Sequence, residues 1–516
     1  MNLDTFNLRR VLLAVFLMTT LLVAYNELFT NKGKVNFDSN LKTQPSVSKV
    51  IKNDIQNTKQ ITNILTNNIF KTIKQKNYIA TFDLNGGQIH NIALTNYQTP
   101  ILFFPELTIE SRDRSLPFST ETNYYVLNED ENSICFQANI LSTIQINQCY
   151  QVDPQLFSIQ HKIEFKNLDP ITKFVSFDII MKEREYLKNK DEYVKFAFRA
   201  KDKYNYFLSE DLKKPLKYIS SNPDYIAFNQ RYFLTAMNTE TFDIENGIIN
   251  SFNEKNINYI QAKLSEKTFA IKPGEIKTFQ HTIYAGPKKA DFLKRIDKNL
   301  KENIDYGWFG SISQPLLFLL VWINGFVKNF GISIVGLTVF VKIITFPLTQ
   351  KSFSAQQQMK KIMPKLKQLQ EKYAHDKTML GQKQMELYKN EGINPMSGCF
   401  PVLIQMPIWF ALYQMLGNSV ELYEQPFYFW IKDLTHPDPL YVLPLVMGAS
   451  MLISQWLMPP TFDESNAQMK YALWIMPVFL TIVMLNLPSG LSIYMVTNNL
   501  LTIIHQIYVK RRYGEI

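Results

Sequence analysis

The pattern of apolar and polar positions divides the chain in two. From residue 331 onward it carries five apolar runs: Gly331–Thr349, Phe400–Gly417, Leu440–Met458, Tyr471–Leu487 and Gly490–Val509. Each holds 17–20 residues, enough helix to cross about 30 Å of hydrocarbon at about 1.5 Å per residue. A sixth run, Val11–Tyr25, follows Arg9-Arg10 with no small-x-small cleavage site after it. That predicts a retained signal-anchor span within residues 1–30. No comparable run occurs between residues 26 and 300.

The front half has a different period. Residues 31–77 are rich in Asn, Lys, Gln, Thr and Ser and read as a flexible tether. From Tyr78 to about residue 290 the text alternates apolar and polar positions. Tyr78–Leu84 and Ile89–Leu94 flank Asn85-Gly86-Gly87, which has the form of a hairpin. Phe157–Phe165, Phe174–Ile180, Tyr193–Phe198 and Lys277–Tyr284 continue the pattern. Many short strands without long helices between them predict a β-sandwich over 78–290. Within a linker at 291–330, Gln314–Val327 is apolar but short for a span, with Trp308 and Trp322 nearby. It predicts an amphipathic helix lying in a membrane interface.

Charge sets the orientation. The chain has 55 Lys+Arg against 45 Asp+Glu, a formal +10. With the N-terminus inside, the inner short segments hold 15 of these cations: Arg9, Arg10, nine Lys in 350–399, Lys470 and Lys510-Arg511-Arg512. The outer short loops hold one, Lys432. This asymmetry puts both termini in the cytoplasm, including the basic tail 510–516, and the β-sandwich outside. The basic balance therefore needs no specific nucleic-acid site. The fold class is mixed: a polytopic α-helical membrane core, six spans in total, plus a large periplasmic β-sandwich domain.

The chemistry-bearing residues are sparse. No HExxH, GxSxG, Walker or GxGxxG pattern occurs, and the three cysteines form no zinc spacing. Neither metal nor cofactor is expected. Cys135 and Cys149 fall in neighbouring strand candidates, opposite one another across a loop at 141–143. They read either as a disulfide in an oxidising compartment or as two buried thiols.

Lys342 stands near the middle of the span 331–349, where an ionisable group costs at least about 2.5 kcal/mol unless it meets water or a partner. Polar residues recur in the other spans, among them Ser454, Thr497, Asn498, His505 and Gln506. Singly these read as helix–helix hydrogen bonds; beside a lysine they favour a hydrated cavity. Residues 351–392 read as a two-helix hairpin with an apolar stripe of Met359, Ile362, Met363, Leu366 and Leu369. Pro364 marks a kink or restart. Its nine lysines, Lys360, Lys361, Lys365 and Lys367 among them, face four acidic residues.

Several segments carry a specific resemblance. They are Tyr306-Gly307-Trp308 with Ile312-Ser313-Gln314-Pro315-Leu316, then Asn394-Pro395 and Gly398-Cys399-Phe400-Pro401. Leu403-Ile404-Gln405-Met406-Pro407-Ile408 and Pro488-Ser489-Gly490-Leu491 with Tyr494 and Asn499 complete them. The chain resembles the YidC/Oxa family of membrane protein insertases, and over 78–512 it is similar to the Gram-negative branch. The resemblance implies an insertase core at 331–509 enclosing a hydrophilic groove with a positive residue. It also implies a docking hairpin for nascent chains, and substrate contacts at Thr338, Gln405, Met406, Pro407, Tyr494 and Met495. The matching charge is Lys342, where the family usually has Arg; the field is kept and the planar fork lost. Implied partners are nascent membrane proteins, ribosome–nascent-chain complexes, the Sec translocon with its accessory subunits, and membrane lipids.

The expectation is a non-enzymatic inner-membrane insertase and chaperone. The alternatives are a small-solute transporter or channel with a periplasmic binding domain, which would favour internal repeats or paired intramembrane charges, and a tethered carbohydrate-active enzyme.

Overall fold

The computed structural model describes residues 70–513 apart from 98–100, 104–105, 185–193, 209–210, 213–216, 220–221, 255–256, 374, 393–399 and 458–466. The predicted signal-anchor, the tether up to residue 69 and Cys399 lie outside the described residues. The chain forms two compact units that divide between Ile304 and Asp305.

The first unit is built from alternation. Along Ser133–Ile140, residues Ile134, Phe136, Ala138 and Ile140 are buried while their neighbours are not. Ile144–Val152 repeats this with Ile144, Ile146, Gln148, Tyr150 and Val152. Side chains two apart share one face of a strand, so each such strand offers one apolar face. The described strands form two nine-stranded antiparallel sheets and a two-stranded ribbon. Rings from the two large sheets meet between them: Phe82 with Tyr150 at 5.0 Å, Phe165 with Phe177 at 5.2 Å, Phe177 with Phe279 at 5.4 Å. A fully buried side chain of this size contributes about 1.5–3 kcal/mol.

The predicted hairpin is Tyr78–Asp83 paired with Gln88–Leu94. Its turn requires glycine, since Gly87 has φ +56° and a Cβ there would stand 3.0 Å from the Tyr124 ring. The domain starts earlier than the sequence suggested: Phe70–Lys74 pairs with Tyr78–Asp83 as an edge strand. Its lysines mask the alternation, and a partner strand supplies what local pattern lacks. The domain also ends later. Helix α1 (Ala290–Ile296) buries Leu293, and the turn Leu300–Asn303 buries Leu300 and Asn303. Asn229 Nδ2 donates to the Asn303 carbonyl at 3.1 Å, Lys288 Nζ to Asn229 Oδ1 at 3.0 Å, and Arg199 pairs with Glu302 at 2.5 Å. Residues 291–304 are thus part of the β unit rather than a linker.

The connection Leu141–Thr143 takes positive φ at Leu141 and Ser142. It sets Cys135 directly opposite Cys149, and the two sulfurs are bonded. Both residues are half-buried on the outer face, not in the core as buried thiols would be.

The second unit is helical: α2 (Gly310–Val327), α3 (Phe330–Lys372), α4 (Lys377–Asn390), α5 (Phe400–Asn418), α6 (Val442–Leu457), α7 (Ala467–Met484) and α8 (Ser489–Tyr513). The predicted span and the first arm of the hairpin are one continuous 43-residue helix, α3, running through Pro347 and Pro364. Each proline removes one i to i−4 hydrogen bond, but the helix continues. The change from apolar to polar text near residue 350 marks a change of surroundings, not a helix end. The turn into α4 is capped by Asp376, whose carboxylate accepts from Thr378 N and Met379 N. Met359, Ile362 and Leu366 of α3 pack with Leu387 and Tyr388 of α4.

Helix α2 begins earlier than predicted and reaches 18 residues, long and apolar enough by length and composition to cross a membrane. Its contacts decide how it lies. Near its start, Ser313 Oγ donates to the Ala411 carbonyl at 2.9 Å and Asn418 Nδ2 to that of Asp305 at 3.0 Å. Near its end, Ile323 adjoins Gly336, early in α3. Gly490 adjoins both Ile334 and Leu416, so the start of α3 and the end of α5 share a level. Both ends of α2 are held at the same end of the bundle. The helix lies across that end.

Candidate functional site

Packing in the helical unit is uneven along its length. Ile334 and Leu337 of α3 join Leu412, Met415 and Leu416 of α5, Leu422, Ile431 and Leu434 of the α5–α6 loop, and Leu491 of α8 in one apolar core. From residue 339 to 348 α3 has no buried residue, and Val339, Phe340, Ile343 and Ile344 are 38–66% exposed; burial resumes at Thr349, Ser352 and Phe353. Lys342 stands in this open half, about 18 Å along the helix from Phe330, half-buried against α8.

Its ammonium donates to Asn498 Oδ1 at 3.3 Å and to Thr502 Oγ1 at 2.7 Å. Residues four apart lie one above the other on a helix, so Asn498 and Thr502 form one face of α8. Thr502 Oγ1 spends its own proton on the Asn498 carbonyl at 2.6 Å. Its lone pairs are left to accept. No described ion pair involves Lys342, and both of its hydrogen-bond acceptors are neutral. An ammonium has three donors, and these bonds use two.

One turn further, His505 Nε2 meets Gln350 Oε1 at 2.6 Å, and the His505 ring stacks on Phe346 at 4.6 Å. Lys342, Asn498, Thr502, His505 and Gln350 thus make a polar track between α3 and α8. A second stripe of α8 faces α6: Asn499 Nδ2 donates to Ser450 Oγ at 3.0 Å, and Ser454 Oγ donates to Gln506 Oε1 at 3.1 Å.

The candidate residues do not gather in one place. Asn498 is on the Lys342 track, Ser454 is on the α6 side, and the Thr497 hydroxyl donates to its own helix at Ile493 O. Thr338 and Tyr494, implied as substrate contacts, are instead buried. The Thr338 hydroxyl is satisfied by Ile334 O, as serine and threonine hydroxyls in helices commonly are. The Tyr494 hydroxyl accepts from Gln405 Nε2. Gln405, Met406, Pro407 and Met495 are partly exposed. On the hairpin, Lys361, Lys365 and Lys367 are exposed, Lys360 is half-buried, and Lys365 pairs with Glu391 at 2.5 Å. Thr502 and Gln350 were not singled out from sequence. The spacing of Thr502 from Asn498 was the signal for the first, whereas Gln350 sits where the apolar run ends.

Residues 322–515 match the family model described as 60Kd inner membrane protein, and residues 102–319 match the YidC periplasmic domain. A membrane protein insertase YidC of Pelobacter propionicus is 31% identical over 473 residues, covering 85% of this chain and 86% of that protein. This chain belongs to the YidC family of membrane protein insertases. A YidC of Geotalea uraniireducens is 38% identical over 312 residues, 60% of this chain and 58% of the relative. A crystal structure of an active YidC insertase, with its first transmembrane domain resolved, aligns over 95% of this chain and 98% of that one at 16% identity and a TM-score of 0.40. The two YidC segment matches meet between residues 319 and 322, inside α2. The β unit and the helical bundle thus correspond broadly to the two parts of the family.

Proposed function

We propose that this chain inserts membrane proteins into the inner membrane and assists their folding, alone or with the Sec translocon, without covalent chemistry. The observation that carries the reading is the Lys342 ammonium, held in the loosely packed half of the bundle by two neutral oxygens. A charge so placed is costly unless water or an opposite charge reaches it. In this reading the open half is a hydrated groove, closed at the α2 end by the apolar core and open towards the lysine hairpin. Water in the groove shortens the hydrocarbon path for a short polar segment. The ammonium attracts acidic residues of the incoming tail while the client's apolar segment leaves sideways into lipid.

The core has five spans, and residues 11–25 supply a sixth as signal-anchor. Both termini and the hairpin are cytoplasmic, and the β unit is periplasmic. The lysines at 360, 361, 365 and 367 receive ribosome–nascent-chain complexes, while Gln405, Met406, Pro407 and Met495 form an adaptable wall along the client's path.

Reconstitution into liposomes tests this with a small client that needs no translocon. The expected result is protease-protected insertion that depends on the full chain. Equal insertion into protein-free liposomes would overturn the reading.

A further inference from the structure

The α5–α6 loop, residues 419–441, is tied to the starts of α8 and α6 and cross-linked within itself. Ser489 N donates to His436 O at 2.8 Å and Gly490 N to Leu434 O at 3.0 Å. Within the loop, Phe427 N donates to Ile431 O and Leu434 N to Gln425 O, each at 3.0 Å. Trp430 Nε1 donates to Asp438 Oδ1 at 2.8 Å, and the same carboxylate accepts from Leu440 N and Leu443 N at the start of α6. Phe427 lies so close to Gly331 that a Cβ there would fall 2.0 Å from its ring. Ile431, Leu434, Thr435 and Asp438 are buried.

Two bulky residues within this frame have a strained backbone and exposed rings. Phe429 has φ +59° and Tyr441 φ +57°, a left-handed backbone that aromatic L-residues rarely adopt. The strain gains no burial, since Phe429 is 92% exposed and Tyr441 51%. A strained conformation held by a rigid frame is a reason to look for function.

The surroundings say what the rings meet. Helix α5 ends at Asn418 and α6 begins at Val442, so the loop lies at the ends of two apolar helices. Helix α2 lies across the same end and exposes Trp322 and Phe326. Exposed aromatic rings at the ends of membrane helices suit the boundary between headgroups and hydrocarbon, where one edge is wet and the other apolar.

We propose that Phe429 and Tyr441, with Trp322 and Phe326 of α2, form an aromatic collar that seats in the lipid headgroup boundary. Through it the loop fixes the depth of the closed end of the bundle. This rests on the membrane reading above.

The test is photo-crosslinking of the full-length protein in native membrane vesicles. Benzoyl-phenylalanine is placed at 429, at 441, at the exposed loop residue Lys432 and at Ile344 in the open half of α3. Phospholipid adducts are expected from 429 and 441 and absent from 432. An adduct from 344 with none from 429 would overturn the collar while leaving membrane embedding intact. Polypeptide adducts dominating at 429 would show a protein-docking surface instead and also overturn it. A second measurement is the melting temperature in detergent of Phe429→Gly, which relieves the backbone and removes the ring. It should be unchanged or raised; a fall of several degrees would mean that the ring packs on the bundle, and the collar would be wrong.

Discussion

Thr502 accepts from the Lys342 ammonium at 2.7 Å because its own proton is committed to the Asn498 carbonyl. The hydroxyl's polarity is therefore fixed, and it acts on α8 as an acceptor aimed at α3. Together with Asn498 it holds a flexible lysine side chain in one place. A lysine point charge lacks the pre-organised fork of an arginine, and this pair supplies the missing orientation.

Thr502→Val keeps the shape and deletes the acceptor. A hydrogen bond to a charged group is worth about 1.5–3 kcal/mol, and about 1.4 kcal/mol is a factor of ten in rate. The insertion rate of a client with an acidic translocated tail should fall about tenfold or more in Thr502→Val and be retained in Thr502→Ser. The same client with a neutral tail should change little. Equal losses for both tails would assign Thr502 to bundle packing alone.

Lys342 itself should act through charge. At about 4 Å and an effective dielectric near 20, one opposite charge is worth about 4 kcal/mol before desolvation, and water in the groove leaves only a fraction of it. Lys342→Arg should keep function, Lys342→Ala should slow acidic tails most, and Lys342→Glu should slow them further. Measuring one client with acidic, neutral and basic tails in all four proteins checks the order. Loss independent of tail charge in Lys342→Ala would make the residue structural.

The hairpin should depend on its apolar seam more than on any single lysine. The Lys365–Glu391 and Lys383–Glu386 pairs are exposed, and such pairs contribute about 0–1 kcal/mol. Leu366 is buried in the seam with Met359 and Ile362, where truncation to alanine typically costs about 2–5 kcal/mol. Single Lys→Ala changes at 360, 361, 365 or 367 should therefore support growth of a depletion strain. Leu366→Ala should loosen the hairpin, read as faster protease cleavage near residue 375. An essential single lysine would refute the distributed-charge view.

How much of this could be read from sequence depends on whether the signal was local. The Asn85-Gly86-Gly87 hairpin and the apolar stripe at 359–366 were legible because period and turn chemistry are local. The strand Phe70–Lys74 was not, because a partner strand makes it one. Helix α2 looked too short for a span and proved long enough; only its contacts with Ala411 and Gly336 show that it lies across the bundle. At the site, Lys342 and Asn498 stood out as polar groups in apolar text. The burial of Thr338 and Tyr494 did not, because it depends on which helix faces which. Nor did the separation of Ser454 from Asn498, since Ser454 on α6 meets one stripe of α8 and Asn498 lies on the other.

The β unit should lose stability in mild acid, and the cause is a pair of facing histidines. His161 and His281 are opposite one another on paired strands, Nδ1 to Nε2 at 3.2 Å, and both are buried. Tyr150 stacks on His161 at 4.1 Å, and the Phe242 ring lies 5.2 Å from His281. Burial lowers both imidazoles, with the neighbouring His281 adding to the effect on His161; His281 is brought down to about 3. A lowered histidine binds fewer protons folded than unfolded, so its contribution is intact above the ordinary value near 6.5 and falls as pH drops below it. From pH 7.5 to 5.5 the buried pair should cost on the order of 1 kcal/mol or more. Glu266 works the other way, because burial raises it to about 7; its folded form takes up a proton first and gains stability as pH falls through that value. The histidine part is isolated by difference. Hydrogen exchange of the strands Ser158–Asn167 and Ile276–Pro287 in the full-length protein, corrected for intrinsic rates, should show weaker protection at pH 5.5 than at 7.5. His281→Gln should flatten that dependence, because it removes one buried imidazole and relieves the other. An unchanged slope in the variant would mean that the acid sensitivity lies elsewhere.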